Sequence, residues 1–385
     1  MMSYRSRQEL LNTVRARYIQ ATRGEKKAIL DELVANTGYH RKYVIDVLRH
    51  PREVPVRRKR RGKRRYTLQV QTALVTVWRV SNGICGKRLV PCMEMFVSAL
   101  ERHGELALDA DTRRLLLSMS AATADRLLHH ERQNGGRRGL GTTKPGTLLK
   151  HSIPIRTFAD WDDKRPGFFE ADLVGHCGDS TRGDYVHTLM LVDVATGWTE
   201  FEALEHRSQK AVTAAVDSIR QRLPYPMLGL DSDNGSEFIN ATLARYCIQH
   251  HITFTRSRPY KKNDQPFVEQ KNWSVVRKTV GYDRYEGPLA AQRMQALYNC
   301  LRPYVNYFQP LMKMTDKRRV GSRLHKHYDI ARTPCQRVLD VPEATVDSKA
   351  QLQQQFLSLN PAAMLRHIHQ LQDRLWQLGK GWIQP

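Results

Sequence analysis

Three carboxylates in this chain fall where a polypeptide could aim them at one point. Asp172 lies at or near the end of an apolar run, Phe168-Phe169-Glu170-Ala171-Asp172-Leu173-Val174-Gly175. Asp233 follows a second apolar run and precedes Asn234-Gly235, a strong turn signal, so its side chain is expected to project from a strand terminus. Glu269 lies in the first turns of a helix that follows Lys261-Lys262-Asn263-Asp264. Carboxylates brought together repel and raise one another's pKa. Hard divalent cations remove that cost, since Mg²⁺ takes a few carboxylates and completes its shell with water and phosphate oxygens. Two such ions, roughly 3.5–4 Å apart, can activate an attacking oxygen and stabilise a leaving one, which is the chemistry of phosphodiester displacement. Read singly, an Asp before Asn-Gly is usually a turn residue, and a Glu early in a helix usually answers the helix dipole. The set carries the reading, not its members.

Those side chains need a sheet and helices to hold them. Phe168 to Leu173 and Tyr185 to Val194 read as strands rich in β-branched and apolar residues, the second ending in Asp193-Val194-Ala195-Thr196-Gly197. Lys210 to Leu223 has helical periodicity through Val212, Ala215, Ile219 and Leu223. Met227 to Leu230 reads as a short strand, 238–250 as a helix, and Ile252 to Thr255 as another strand. The helix carrying Glu269 is expected from near Gln265 to about Val280. Strands in hairpin form, followed by strands alternating with helices, describe a mixed α/β sheet with helices on its faces.

Charge points to the partner. Lys and Arg number 62 against 38 Asp and Glu, a formal net charge of +24 over 385 residues, and such an excess attracts polyanions. No apolar run approaches the ~18 residues that span a bilayer, and the start of the chain lacks a secretory apolar stretch. No membrane partner is therefore expected, and the expected location is cytoplasmic, with the nucleic acid that the charge would attract; that the cell is bacterial is implied only by the resemblance described below. Six cysteines occur without a CxxC pair, which suggests reduced thiols and no structural zinc.

The flanking segments read as DNA-binding modules. In residues 1–50, Ile29, Leu30, Leu33 and Val34 recur at helical spacing, Asn36-Thr37-Gly38 interrupts, and Tyr43, Val44, Val47 and Leu48 resume, the form of a helix-turn-helix. Its second helix, expected to start at Tyr39, would offer His40, Arg41 and Lys42 to phosphates or base edges. Residues 51–66 include Arg57, Arg58, Lys59, Arg60 and Arg61, a like-charge run that reads as an extended linker neutralising phosphates. Residues 67–133 form a second helical domain, whose last part resembles another helix-turn-helix with Ser120 as N-cap. Residues 134–152, rich in Gly, Thr and basic residues, read as a flexible linker, 153–310 as the catalytic domain, and 311–385 as a basic, loop-rich region. That last region closes with a polar helix pair, Ala350 to Leu359 and Ala362 to Leu378, a candidate for subunit contacts.

Motif, order and spacing together resemble a known family. The carriers are Glu170-Ala171-Asp172-Leu173-Val174, Leu191-Val192-Asp193-Val194-Ala195-Thr196-Gly197-Trp198 and Asp231-Ser232-Asp233-Asn234-Gly235-Ser236-Glu237-Phe238. They continue through Thr255-Arg256-Ser257-Arg258-Pro259-Tyr260-Lys261-Lys262-Asn263-Asp264 to Val268-Glu269-Gln270-Lys271-Asn272. These are similar to the D-D-E transposases and integrases of the retroviral-integrase superfamily, particularly bacterial insertion-sequence enzymes with an integrase core. The resemblance spans about residues 160–310, and the 35 residues between Asp233 and Glu269 match the family's usual spacing.

The resemblance implies an α/β ribonuclease H-like catalytic core, a mixed five-stranded sheet flanked by helices. Here it would carry N-terminal all-helical helix-turn-helix modules and a helical C-terminal tail. It implies Asp172, Asp233 and Glu269 as catalytic residues holding two Mg²⁺ ions, for which Mn²⁺ can substitute. Asp231 is the nearest decoy for Asp233, Asp193 matches a position that supports structure, and Asp184 and Glu237 read as turn and helix-start residues. The His/Cys zinc module of the retroviral branch is missing, and helix-turn-helix segments stand in its place. Arg256, Arg258, Lys261 and Lys262 before the catalytic helix, with Lys271, Arg277 and Lys278 on it, are the expected contacts to a cleaved DNA end. The implied partners are double-stranded DNA, as terminal inverted repeats and target, and further copies of the chain in a homo-oligomer. The implied activity is hydrolysis at the element ends followed by strand transfer. A catalytically inactive DNA-binding regulator and a hydrolysis-only ribonuclease H-type nuclease remain the alternatives.

Overall fold

The N-terminal unit, Met1–Arg65, holds three helices, α1 (Tyr4–Gln20), α2 (Arg23–Thr37) and α3 (Arg41–Arg49). Ser3 caps α1, and Thr22 with Glu25 forms a capping box on α2, so backbone N–H groups that have no partner inside the helices are satisfied locally. Gly38, at φ 70°, ends α2 in the left-handed conformation that favours glycine. The next helix starts at Arg41 instead of Tyr39, because the His40 imidazole takes the N-cap position and accepts the Lys42 N–H at 3.3 Å. Leu11, Tyr18, Ile29, Leu30, Leu33, Val44, Val47 and Leu48 make this unit's core.

The second unit, Tyr66–Pro385, begins with α4 (Leu68–Val80), α5 (Gly86–Leu89), α6 (Met93–Arg102), α7 (Ala110–Leu117) and α8 (Ala121–Leu127). Ser120 caps α8, accepting the Thr123 N–H. A sheet follows in this computed structural model, which describes residues 2–50, 65–134, 165–233, 235–257, 265–320 and 322–379. Its strands are β1 (Phe168–Gly175), β2 (His187–Asp193), β3 (Thr199–Leu204), β4 (Gly229–Ser232) and β5 (Thr253–Arg256), in spatial order β3-β2-β1-β4-β5. The first three pair antiparallel, whereas β4 joins β1, and β5 joins β4, in parallel. Parallel neighbours need crossovers, supplied by α9 (Gln209–Arg222) and α10 (Ala241–Gln249). This mixed five-stranded sheet with flanking helices is the ribonuclease H-like fold.

After β5, the chain forms α11 (Pro266–Lys271), a π-helical segment (Asn272–Arg277) and α12 (Lys278–Val280) without a break. Then comes α13 (Gly287–Phe308), which covers the antiparallel half of the sheet. Its Asn306 amide accepts from Thr199 N at 2.9 Å and donates to Thr199 O at 2.8 Å, fixing the helix to the start of β3. A hairpin, β6 (Met314–Val320) and β7 (Arg323–Tyr328), occupies part of the region expected to be loop-rich. Three helices close the described chain, α14 (Pro334–Asp340), α15 (Val346–Ser358) and α16 (Pro361–Trp376). No helix among the described residues is long and apolar enough to cross a membrane.

Residues 67–133 do not build a core of their own. Val70, Leu74, Val77, Phe96 and Leu100 belong to one hydrophobic cluster with Phe201, Tyr304 and Phe308. The Phe96 and Phe308 rings lie 6.1 Å apart, and Tyr304 Oη donates to Val80 O at 2.7 Å. The apolar positions of α4 and α6 are covered by α13 and α16, so these helices brace the sheet domain. The closing helices are likewise turned inward: Ile368 and Leu375 of α16 are buried in the same cluster, and Gln372 donates to Thr279 O at 2.9 Å.

Candidate active site

The parallel register of β1 and β4 sets Glu170 opposite Asp231 and Ala171 opposite Ser232. Continued by one residue, it brings Asp172 and Asp233 out side by side where β4 stops. Asp172 therefore lies within β1, and it is β4 that ends at this level. The pair is electrostatically coupled. Burial, Asp172 and Glu237 push the Asp233 carboxyl up to about 7, against the pull of the Gly235 N–H and Arg207. Burial, with Glu269 and Glu237 adding, pushes Asp172 up to about 6, while hydrogen bonds from the Leu173 N–H and the Asn272 amide oppose the rise.

Short local bonds hold each carboxylate. Leu173 N donates to Asp172 Oδ1 at 2.8 Å, the Asn272 amide donates to Asp172 Oδ2, and Gly235 N donates to Asp233 Oδ1 at 2.9 Å. A Cβ at 235 would stand 2.7 Å from Glu237 Cδ and 2.9 Å from Asp233 Oδ1, so a larger residue there would have to displace the ends of these two side chains. Glu237 thereby comes close to the pair, with Arg207 at 3.8 Å from its Oε1. Read from sequence as a helix-start residue, it stands ahead of α10 and adds negative charge beside Asp172 and Asp233.

The Glu269 helix is positioned from the sheet. Glu170, fully buried on β1, accepts the N–H groups of Phe267 and Val268 at 2.9 and 3.0 Å, satisfying the start of α11. Asp231, also fully buried, accepts Thr255 Oγ1 at 2.6 Å and Gln265 Nε2 at 3.0 Å, tying β5 and the N-cap residue of that helix to β4. The decoy of the sequence reading is thus a structural acid. Asp193 is another, accepting from Gly167 N, Thr196 N and Thr196 Oγ1 at 2.6–2.7 Å. Glu269 itself is exposed on the helix, one turn before Asn272. The only sequence signal for Glu170 was its place two residues before Asp172, on the same strand face.

Among the described residues, no three His, Cys, Asp or Glu side chains come close enough to hold a metal ion as they stand. The donors nevertheless suit a hard cation. Two coupled carboxylates sit with raised pKa, and Asn272 Oδ1, on the residue bonded to Asp172, is buried without a hydrogen-bond partner.

The expected DNA contacts divide. His40 caps α3, Arg41 forms an ion pair with Asp31, and Lys42 is exposed. Arg256 is buried at the end of β5. Lys271 is half-buried, its amine lowered to about 8 by burial and by Arg88. Arg277 turns inward, donating to Gly175 O at 3.0 Å with its guanidinium 5.0 Å from the Tyr282 ring. Lys278 is exposed. Arg57, Arg58, Lys59, Arg60, Arg61, Arg258, Lys261 and Lys262 lie outside the described residues.

The fold is that of an integrase-type core, and the family match agrees. The integrase core domain family matches residues 162–262, which include Asp172 and Asp233 and stop short of Glu269. "Uncharacterized protein y4rM" of Sinorhizobium fredii (strain NBRC 101917 / NGR234) is 43% identical over 330 residues, covering 85% of this chain and 93% of the relative. The "Pro-Pol polyprotein" of Feline foamy virus is 33% identical over 107 residues, 28% of this chain and 9% of that much longer protein. Among solved structures, the catalytic core domain of BIV integrase aligns at 18% identity and a TM-score of 0.28, covering 44% of this chain and 91% of that one. The chain belongs to the integrase/transposase superfamily, in the same family as y4rM.

Proposed function

We propose that this chain is a D-D-E transposase or integrase that cuts and joins duplex DNA as a homo-oligomer. The observation that carries the reading is the pairing of Asp172 with Asp233 at the end of β4, beneath a helix that bears Glu269. Asp172 and Asp233 hold metal from the sheet, and Glu269 from the helix. Bound there, two Mg²⁺ or Mn²⁺ ions supply the charge that activates an attacking oxygen and stabilises a leaving one. Asn272 orients Asp172, while Glu170 and Asp231 keep the helix in place over the strands. Water is the first nucleophile and frees a 3′-hydroxyl at each element end. That hydroxyl then attacks a target phosphodiester in line, so the same residues serve both steps with the roles of the oxygens exchanged. The N-terminal helices, through Lys42 and the basic run after them, engage terminal inverted repeats.

The test is cleavage and joining of labelled duplex carrying the element's terminal repeats, with Mg²⁺, comparing wild type with Asp233→Asn. Metal-dependent joining by wild type, reduced at least about 100-fold in the near-isosteric variant, is the expected result. Binding without chemistry in either protein, with Mn²⁺ as well, points instead to a DNA-binding regulator. Hydrolysis without joining points to a nuclease.

A further inference from the structure

The helix that bears Glu269 carries a large aromatic side chain in solvent. Trp273 is 56% exposed, four positions after Glu269, so both side chains lie on one face about a turn apart. Asn272, beside it, donates to Asp172, which sets that face toward the acids. The π-helical segment then adds a cation. With i→i+5 pairing, position 278 returns over position 273, and Lys278 Nζ lies 4.5 Å from the Trp273 ring centroid. In an unbroken α-helix, five positions would swing Lys278 roughly 140° away.

Single exposed apolar residues are common on proteins and need no explanation by themselves. Here the exposed neighbours on the helix are Glu269, Gln270 and Lys278, so among the described residues of this helix the indole stands amid polar and charged groups, unlike the apolar core of a protein interface. A flat ring with a cation on it, one turn from groups suited to phosphodiester chemistry, matches what single-stranded nucleic acid requires. The ring takes a base face, and the cation takes a phosphate.

We propose that Trp273 and Lys278 form a stacking subsite for one unpaired nucleobase at the DNA end next to the acids. This inference rests on the reading of the chain as a DNA-cutting enzyme. Inside a duplex both faces of a base are covered by its neighbours, so the ring can accept a base only at an end, and most fully one freed from pairing in a single-stranded tail. Every base has a π face, so the subsite tolerates sequence and reads single-strandedness instead.

The experiment uses the full chain and two oligonucleotide duplexes, one blunt and one with a single-stranded 3′ tail that carries 2-aminopurine. Wild type is expected to prefer the tailed duplex and to quench the 2-aminopurine. In Trp273→Ala that preference falls by roughly 5- to 100-fold and the quenching is lost, while affinity for the blunt duplex holds. Trp273→Phe, which keeps a ring, retains most of both. Unchanged tail preference and quenching in Trp273→Ala, with Mg²⁺-dependent cutting intact, overturns the subsite and leaves the proposed function standing. The same unchanged binding with an altered oligomeric state assigns the ring to a protein interface and overturns it too. A wild type without metal-dependent cutting overturns both readings.

Discussion

Asp233 is disfavoured as an anion in the metal-free chain, because burial and Asp172 both resist its charge. Its folded pKa, about 7, lies above the ordinary 3.8, so at pH above 7 the folded state holds an ionised group that the unfolded chain accommodates more easily. Asp233→Asn is therefore expected to stabilise the metal-free protein above pH 7, on the order of 2 kcal/mol, while removing its chemistry. Thermal unfolding in chelator checks this, and Mg²⁺ should raise the melting temperature of wild type but not of the variant. The strand positions of Asp172 and Asp233 were legible in the sequence because each follows an apolar run at a fixed place in a motif. Glu237 was not. Its approach depends on the space left by Gly235, a steric fact that residue types at i and i+2 do not disclose. Arg277 shows a contact the sequence did not disclose: expected as a DNA contact on the Glu269 helix, it donates to Gly175 O.

The first turn of α11 is held by one side chain from the sheet. Glu170→Ala leaves the Phe267 and Val268 N–H groups without their acceptor, which should cost about 1–3 kcal/mol and reduce cutting by loosening Glu269. Glu170→Gln keeps an acceptor oxygen and should recover part of both losses, read by thermal melts and cleavage rates. The β6–β7 hairpin makes a different prediction. Arg319 and Lys326 are exposed on a two-stranded ribbon, a shape that fits a DNA groove. Replacing both by Ala should lower the slope of log affinity against log salt by about 1–2 without altering sequence preference. Elements with strong local periodicity, such as α9 and α11 through α12, were expected within a residue or two of where they stand. The hairpin was not, because Met314–Val320 has no apolar alternation to betray a strand. Nor was β3, whose two glutamates interrupt the pattern. Arg222 explains them, bonding Glu200 at 2.6 Å and pairing with Glu202, an arrangement made across the fold and invisible along the chain.

Over the second unit as a whole, two sets of buried groups titrate against each other. His187, pulled down to about 4 by burial, and His176, held well below its ordinary value by burial and Arg277, stay neutral when folded. The unfolded chain protonates them near 6.5, so their contribution is full above that pH and is lost as pH falls toward 4. His187 alone accounts for about 3 kcal/mol of this. Asp172 and Asp233 act in the reverse sense, since their raised pKa values, about 6 and about 7, make the folded state the better proton acceptor over the same window. The melting temperature of metal-free wild type should thus change little between pH 6.5 and 4, whereas that of Asp172→Asn/Asp233→Asn should fall steadily as pH is lowered. A scan of melting temperature against pH on both proteins tests the balance. The expected boundary after residue 133 dissolved for a related reason: α4 through α8 have apolar faces that read as a domain, but what covers them lies more than 150 residues later, in α13 and α16. Long-range closure of that kind also operates at the base of the hairpin. Lys313, just before β6, reaches the Val194 and Ala195 carbonyls at the β2–β3 turn and lies 5.6 Å from the ring of Phe267, in the first turn of α11. One ammonium thus anchors the root of the hairpin to the β2–β3 turn and to the opening of α11 together, so three segments far apart along the chain share a single tether.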